Sequence, residues 1–215
     1  MKLLRLLPSA LRRQQITKIV QPFTLVGRER IHNLYNLSRR IEYEGVPGDV
    51  VECGVCNGGT AAVLGHFATR SDRNRTLWLF DSFEGMPQTT EEDGEAAIKH
   101  IGKEVGDVHK VEDVLKRVDV DMQRVRIVKG WFNKTFSTAS ISKIALLNID
   151  ADWYTSVRLC LDTFYDSVAL GGIISFDDYG HWPGCRQAVD EFFRERGLPY
   201  KLQEVDYTAR WFQKI

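Results

Sequence analysis

Aspartates follow two apolar segments in the second half of the chain. Asp150 and Asp152 stand near the end of IALLNIDADWY, and Asp177 and Asp178 follow GGIISF. If both segments are parallel strands, their carboxyl ends lie at the same edge of a sheet and the carboxylates come together. Carboxylates repel one another and are costly to desolvate in a partly dry cleft, so a bound positive ion stabilises them. The pattern therefore predicts a site for a divalent cation.

A glycine-rich turn earlier in the chain, VVECGVCNGG, predicts a second binding element. Its glycines are Gly54, Gly58 and Gly59. The dinucleotide motif G-x-G-x-x-G needs a glycine where Cys56 stands, so this turn is not typical of a dinucleotide phosphate site. A turn of this kind still places a ligand carboxylate at the N-terminal end of the following helix.

S-adenosylmethionine has the groups that suit this turn and its surroundings. It carries such a carboxylate, an ammonium that Glu52 is placed to neutralise, and a ribose diol that suits Asp81 at the end of the next predicted strand. The combination predicts an S-adenosylmethionine site. The structural alternative is a tight strand-to-helix turn, with Asp81 as a solvated residue at a strand end.

The cysteine spacing allows two interpretations. Cys53 and Cys56 form a C-x-x-C pair, and the remaining cysteines are Cys160 and Cys185. Neither a second C-x-x-C nor a histidine pair stands at a spacing typical of zinc ligands, which disfavours redox or zinc chemistry. We expect reduced, packed cysteines in a cytosolic protein.

Apolar segments alternate with helical ones, which is typical of a doubly wound, mostly parallel α/β sheet. The predicted strands are Val50–Val55, Leu77–Asp81, Val125–Gly130, Ile144–Asp150, Gly172–Asp177, Tyr200–Val205 and Ala209–Gln213. The predicted helices are Glu29–Tyr43, Gly59–Thr69, Val111–Val118, Tyr154–Val168 and Gly184–Arg196. The first five strands show little polar alternation, as expected when helices cover both faces. The last two strands predict an antiparallel hairpin at one edge of a seven-stranded sheet.

The segment Pro87–Asp121 is long for one connection and begins with the polar run QTTEEDGEAA. Connections of this length are usually functional lids or disordered loops. Ligands of such sheets bind beyond the carboxyl ends of the strands, near the point where the strand order reverses. The polar signals described above all fall at that edge.

Length and charge limit the function further. The 215 residues suffice for one α/β domain, and 29 basic side chains match 29 acidic ones, so nucleic-acid binding is not expected. Basic side chains concentrate in the first 40 residues, where Glu29 is the only acidic one. We therefore expect a basic helical arm or lid over residues 1–45 and an α/β domain over residues 46–215. Contact between this arm and an acidic body predicts a homo-oligomer, in particular a dimer.

The chain begins with MKLLRLLPSALRR, which lacks the long apolar core of a signal peptide because Arg5, Pro8 and Arg12 interrupt it. No stretch reaches the ~20 apolar residues of a transmembrane helix. We expect a cytoplasmic protein without a transmembrane segment. The arm is predicted to be a surface helix packed on its own domain, with contact to a membrane surface or a partner subunit as the alternative.

Five segments together resemble the macrocin O-methyltransferase (TylF-type) family, which methylates sugar hydroxyls of natural products. They are GVPGDVVECGVCNGG, WLFDSFEGMP, KGWFNKTF, LLNIDADWYTS and GGIISFDDYGHWPGCRQAVDEFF, in order from about Thr24 to the C-terminal WFQKI. The resemblance implies a class I, Rossmann-like methyltransferase fold and a Mg²⁺ ion held by Asp150, Asp177 and Asp178. With the glycine turn, it places the methyl donor among Glu52, Gly54, Gly58, Gly59, Asp81, Ser82, Gly130, Trp131 and Asp150.

Methyl transfer to a sugar hydroxyl needs a positioned acceptor and a group that accepts its proton. A Mg²⁺ ion orients two neighbouring hydroxyls of the acceptor and lowers the hydroxyl pKa. We predict that Asp150 is both a metal ligand and the proton acceptor, with His181 as a second base or an acceptor-binding group. Catechol-type relatives have a catalytic lysine where Trp153 stands, which disfavours catechol-like catalysis.

Two positions depart from the family pattern, and two other functions compete with methyl transfer. Cys56 replaces a usual aromatic residue, Thr155 replaces a usual glutamate, and the first forty residues align poorly. We therefore expect an acceptor that differs from the antibiotic examples of the family. A metal-dependent hydrolase would use the same aspartates but would not need Asp81 or the glycine turn. A degenerate, ligand-binding methyltransferase domain would have no reason to keep mutually repelling carboxylates.

Overall fold

Seven strands form one mixed sheet in the computed structural model, which describes Leu4 and residues 7–215. The strands are β1 (Asp49–Cys53), β2 (Leu77–Asp81), β3 (Val125–Lys129), β4 (Ile144–Ile149), β5 (Val168–Phe176), β6 (Gln203–Glu204) and β7 (Arg210–Gln213). Their order is β3-β2-β1-β4-β5-β7-β6. Strands β1 to β5 are parallel, and β7 and β6 continue the sheet in antiparallel fashion. The predicted fold class and the C-terminal edge hairpin are confirmed.

The strand order reverses at β1, which pairs with β2 on one side and with β4 on the other. Val51, for example, lies opposite Trp78 of β2 and Leu147 of β4. The chain first moves outward from β1 to β3 and then returns to β4, so the carboxyl ends of β1 and β4 open onto a crevice. Such a reversal is the usual ligand site of doubly wound sheets.

Helices cover both faces of the sheet. They are α1 (Ser9–Val20), α2 (Arg28–Tyr43), α3 (Gly59–Ala68), α4 (Glu95–Ile98), α5 (Val108–Arg117), α6 (Phe132–Thr135), α7 (Tyr154–Phe164) and α8 (Pro183–Glu195). One hydrophobic core joins α1, α2, α3 and α5 to one face, and a second core joins α7 and α8 to the other. Val50 and Val51 point into different cores, which explains why the strands show no polar alternation.

The N-terminal helices share the first core with the body of the protein. Ile16 of α1 and Ile31 of α2 are buried in it, and the Tyr35 and Phe67 rings meet edge to face with centroids 4.8 Å apart. The predicted basic arm begins with Lys2 and Arg5, which lie outside the described residues. Among the residues that the structure describes, no helix has the length and apolar character needed to cross a bilayer.

Strand β5 begins four residues earlier than predicted, at Val168 instead of Gly172. The preceding helix ends at Phe164, and a short 3₁₀ turn carries the chain into the sheet. Val168 already pairs with Ile144, and the register then shifts before Leu146 meets Ile173. Gly171, at φ 79°, lies in the irregular stretch, where a left-handed residue lets the strand bulge. The glycines that suggested a strand start therefore mark a bulge inside the strand.

The long connection after β2 is folded. It contains a 3₁₀ turn at Glu91–Asp93 and helix α4, and α5 starts at Val108, three residues before the prediction. Asp107 caps α5 by accepting a hydrogen bond of 2.8 Å from the backbone N–H of His109. Asp107, a typical N-cap residue, was therefore the sequence signal for a helix that starts at Val108.

Asp93 fastens this connection to the helices beyond the sheet. Its Oδ2 accepts a hydrogen bond from the backbone N–H of Thr90 (2.8 Å), and its Oδ1 accepts one from the backbone N–H of Tyr154 at the start of α7 (2.7 Å). Asp93 is 1% exposed, and a Cβ atom on Gly184 at the start of α8 would lie 1.9 Å from its Oδ1. The segment is thus docked on the N-terminal ends of two helices.

Replacing Asp93 by alanine should release this segment. The change leaves the partly buried N–H of Tyr154 without its acceptor, so we expect the free energy of unfolding to fall by about 1–3 kcal/mol. Chemical denaturation measures this change, and limited proteolysis should show faster cleavage between residues 88 and 106. Glu91→Ala removes an exposed carboxylate from the same turn and serves as the control. Equal stability of the two variants would contradict the assignment.

Candidate active site

A cleft of about 520 Å³ opens at the carboxyl ends of β1, β4 and β5. Its walls come from the glycine turn after β1, the ends of the neighbouring strands, the segment before α2 and the connection after β2. The volume falls within the range of small-molecule sites. The cleft brings together these predicted residues: Gly54, Asp81, Ser82, Trp131, Asp150, Asp177, Asp178 and His181.

Three of the predicted aspartates form a group that can hold a metal ion. One carboxylate oxygen from each of Asp150, Asp177 and Asp178 lies within 4.8 Å of the others. Sheet hydrogen bonds position the backbone: Asp150 N–H donates to Cys53 O and Asp177 N–H to Ile149 O, both at 2.9 Å. The ladder that joins β1, β4 and β5 therefore also aligns these carboxylates.

The chemistry of this group suits a hard divalent cation. Burial and repulsion from neighbouring carboxylates raise the pKa values of Asp150 and Asp178 well above the usual range. Burial also raises the pKa of Asp177 to about 6. Asp178 Oδ2 is buried and accepts no hydrogen bond from the described residues. Carboxylate oxygens are the ligands that Mg²⁺ and similar ions prefer, and a cation would offset the repulsion.

Asp152 is a further carboxylate that lines the cleft, but it is not part of the group formed by Asp150, Asp177 and Asp178. Strand β4 ends at Ile149, so strand alternation does not govern Asp152, which adopts a left-handed backbone conformation with φ 53°. Its Oδ1 accepts a hydrogen bond of 2.9 Å from Trp182 Nε1. Burial and then the charge of Asp177 raise the pKa of Asp152 to about 7.

Asp81 organises the glycine turn. Its Oδ2 accepts hydrogen bonds from the backbone N–H groups of Val55 (2.7 Å) and Cys56 (2.8 Å), and its Oδ1 accepts one from Phe83 N–H (2.7 Å). Cys56 has φ 48°, a left-handed conformation in which glycine is the more usual residue. The hydrogen bonds that the Asp81 carboxylate accepts stabilise that conformation, and the carboxylate still lines the cleft.

Gly54 joins the glycine turn to the metal-binding group. A Cβ atom at Gly54 would lie 1.7 Å from the carbonyl oxygen of Asp150, and the glycine has φ 89°. Any side chain would push the end of β4 away from the turn. Because Gly54 has no side chain, the backbone of the glycine turn lies in direct contact with the backbone of Asp150.

Four residues of the predicted donor site are not among the residues that line the cleft: Glu52, Gly58, Gly59 and Gly130. A Cβ atom on Gly58 would approach Val111 Cα to 2.9 Å, and one on Gly59 would approach Thr24 Cβ to 2.7 Å. These two glycines therefore allow α5 and the N-terminal segment to pack against α3. Gly130, at φ 140°, forms the turn that places Trp131 on the wall.

Glu52 is fully buried under the glycine turn. Its Oε1 accepts a hydrogen bond of 2.9 Å from Nδ2 of Asn148, its register partner on β4. Burial raises the pKa of Glu52 to about 8, so the side chain is mainly neutral at pH 7. Its Oε2 is buried and has no hydrogen-bond partner among the described residues, and an ammonium beside it would lower this pKa. The contact with the donor ammonium therefore stays a prediction, although the strand-end position alone did not reveal the burial.

His181 stands at the exposed rim of the cleft. Its Nδ1 lies 2.9 Å from the hydroxyl of Tyr207, and its ring meets Trp182 edge to face with centroids 4.5 Å apart. The rim position suits contact with an acceptor.

Sequence reasoning missed the cleft residues that come from distant segments. Arg30 reaches the aspartates from α2, and His100 and Glu104 line the cleft from the connection after β2. The clustering of basic residues in the first 40 positions was the available signal for Arg30, but it did not single out this residue.

Fold and site together define a class I methyltransferase, and sequence comparison identifies the family. The sequence model of the macrocin-O-methyltransferase (TylF) family matches residues 8–214. The chain belongs to this family and is an S-adenosylmethionine-dependent O-methyltransferase, as the sequence analysis predicted. Cys56 and Thr155, the two departures from the family pattern, both line the cleft.

Individual relatives support the assignment over most of the chain. Demethyldecarbamoylnovobiocin O-methyltransferase of Streptomyces niveus is 32% identical over 203 residues, which cover 89% of this chain and 75% of that protein. Mycinamicin III 3''-O-methyltransferase of Micromonospora griseorubida is 32% identical over 199 residues, with 89% and 78% covered. The solved structure of the O-methyltransferase NovP has a TM-score of 0.85 at 26% identity and covers 96% of this chain and 99% of NovP.

Asp81→Ala should weaken binding of S-adenosylmethionine. The change removes the carboxylate predicted to bind the ribose, which is also the acceptor for two backbone N–H groups of the glycine turn and for that of Phe83. A loss of about 1.5–3 kcal/mol corresponds to a Kd that rises about 10- to 100-fold, measurable by calorimetry. Glu84→Ala is the control: it removes an exposed carboxylate three positions further along, outside the cleft lining, so donor affinity should hold. Unchanged donor affinity of Asp81→Ala would refute the donor placement.

Proposed function

We propose that this enzyme methylates a sugar hydroxyl of a glycosylated small molecule, with a Mg²⁺ ion held by Asp150, Asp177 and Asp178. The observation that carries the proposal is the group of three carboxylate oxygens within 4.8 Å, directly beside the donor turn. Two relatives are named as O-methyltransferases of demethyldecarbamoylnovobiocin and of mycinamicin III, which supports a natural-product acceptor. Family membership favours methyl transfer over the hydrolase and ligand-binding alternatives.

The chain positions the two substrates from opposite sides of the cleft. Asp81 and the glycine turn hold the donor end, and Trp131 offers an aromatic wall there. Phe23 and Leu25, from the segment before α2, line the cleft together with Met86 from the connection after β2. When bound, S-adenosylmethionine supplies the methyl group and Mg²⁺ supplies positive charge for the acceptor oxygens. Because displacement at a methyl group must be in line, this positioning supplies much of the rate.

A sugar hydroxyl is a weak acid, so a carboxylate must accept its proton. The proposal assigns this role to Asp150, in line with the sequence analysis. Asp152 is the second candidate, because it lines the cleft outside the metal-binding group and only its Oδ1 takes the hydrogen bond from Trp182. A carboxylate that is not a metal ligand keeps a higher proton affinity than one that is.

Three expectations from the sequence stay predictions. They concern a homodimer, a cytoplasmic location and the absence of nucleic-acid partners. The division of the chain into residues 1–45 and 46–215 also stays a prediction. Helices α1 and α2 share the first core with the rest of the protein.

Turnover should require a divalent cation. We expect EDTA to abolish methyl transfer from labelled S-adenosylmethionine in a screen of glycosylated metabolites and nucleotide sugars, and Mg²⁺ to restore it. Donor affinity should persist in EDTA, because the carboxylate group is assigned to the acceptor side. Full turnover in excess EDTA would remove the metal from the mechanism, and an acceptor without a sugar would change the substrate class.

Single amide variants should identify the proton acceptor. At saturating Mg²⁺, Asp177→Asn and Asp178→Asn should recover part of their turnover, because a high metal concentration compensates for a weaker ligand set. Asp150→Asn should stay inactive under the same conditions if Asp150 accepts the proton. Recovery of Asp150→Asn together with an inactive Asp152→Asn would transfer the role to Asp152.

A further inference from the structure

Arg30 connects the N-terminal helices to the aspartates of the active site. It lies in the first turn of α2, and its Nη1 donates a hydrogen bond to Asp177 Oδ2. Its Nε lies 3.2 Å from Asp206 Oδ2. The side chains of Arg30 and Asp177 are 17% and 8% exposed, so this ion pair is shielded from water and is not a weak surface pair.

The outer partner of Arg30 is itself held in place. Asp206 Oδ1 accepts hydrogen bonds from the backbone N–H groups of Thr208 (2.9 Å) and Ala209 (2.8 Å). The Thr208 hydroxyl in turn donates to the carbonyl oxygen of Asp177 (2.7 Å). Arg30, Asp206, Thr208 and Asp177 thus form a closed set of contacts between α2, the end of β5 and the turn before β7.

The charges around Arg30 complement those of a divalent cation. The three aspartates carry three negative charges when ionised, and a divalent ion supplies two positive charges. The Arg30 guanidinium adds positive charge beside Asp177, which it shares with Asp206, and it also interacts electrostatically with Asp150 and Asp178. The aspartate oxygens already lie within 4.8 Å of one another while Arg30 holds Asp177. The arginine is therefore compatible with a formed metal site.

We propose that Arg30 is a positioning residue of the metal site. It fixes the carboxylate of Asp177 through one oxygen and leaves the other for the cation, as hydrogen-bond partners of metal ligands do. Because Arg30 belongs to α2, metal binding and docking of the N-terminal segment are linked. The inference rests on the proposed metal-dependent function. In the opposite arrangement, the guanidinium would compete with the cation for Asp177.

Metal affinity separates these two arrangements. Metal-free protein is titrated with Mn²⁺, and the free ion is followed by electron paramagnetic resonance. Arg30→Met, which keeps the apolar stem, should bind Mn²⁺ about 10- to 100-fold more weakly than the wild type. Arg30→Lys should recover part of the loss. Arg39→Met removes the same charge from an exposed position of α2 and should leave the affinity unchanged.

Two controls keep the test decisive. Calorimetry with S-adenosylhomocysteine shows whether each variant keeps a folded donor site, which Arg30→Met should do. If Arg30→Met does not fold, Asp206→Asn replaces it, because the loss of the outer partner should lower Mn²⁺ affinity by a smaller factor. Equal or tighter Mn²⁺ binding by a folded Arg30→Met or Asp206→Asn variant overturns the proposal and, if tighter, supports competition.

Hydrogen exchange tests the linkage to the N-terminal segment. Mn²⁺ should slow backbone exchange over residues 28–35 in the wild type and in Arg39→Met but not in Arg30→Met. Equal protection in all three proteins would contradict the linkage. Failure of the wild type to bind Mn²⁺ would overturn the proposed metal-dependent function and this inference together. Wild-type binding with an unaffected Arg30→Met variant would overturn the role of Arg30 alone.

Discussion

The repulsion among carboxylates at one sheet edge is the constraint around which this enzyme is built. Asp150, Asp177 and Asp178 are placed by the ladder of β1, β4 and β5, and burial raises their pKa values. Such an arrangement is costly unless positive charge lies close by. Arg30 supplies one such charge from another part of the chain, and a divalent cation would supply the remainder.

Backbone contacts connect this edge to the donor turn. Gly54 allows the carbonyl of Asp150 to approach closely, and Asp81 stabilises the left-handed conformation of Cys56. The connection after β2 lines the cleft and is fastened by Asp93 to the start of α7. A small number of short contacts therefore holds the glycine turn, the three aspartates and this wall of the cleft together.

The sequence predicted the parts of the structure that follow from local pattern. Apolar segments with acidic ends predicted β4, β5 and a group of aspartates at their carboxyl ends, and the family resemblance selected three of them. The glycine spacing predicted the turn after β1. Pattern could not predict that Glu52 is buried and mainly neutral, because that depends on its register with Asn148. Arg30 escaped detection because its partners lie 147 and more positions away in the chain. The start of β5 was misplaced because glycines in a bulge look the same as glycines at a strand start.

The central claim is that three aspartates hold one divalent cation beside the methyl donor. A crystal structure with Mn²⁺ and S-adenosylhomocysteine, analysed by anomalous scattering, tests it most directly. The account predicts a single peak in the cleft at a distance of about 2.1 Å, typical of Mg²⁺, from one oxygen of each of Asp150, Asp177 and Asp178. A donor product bound in the cleft with no peak at these aspartates, or with the ion held by other residues, would contradict it.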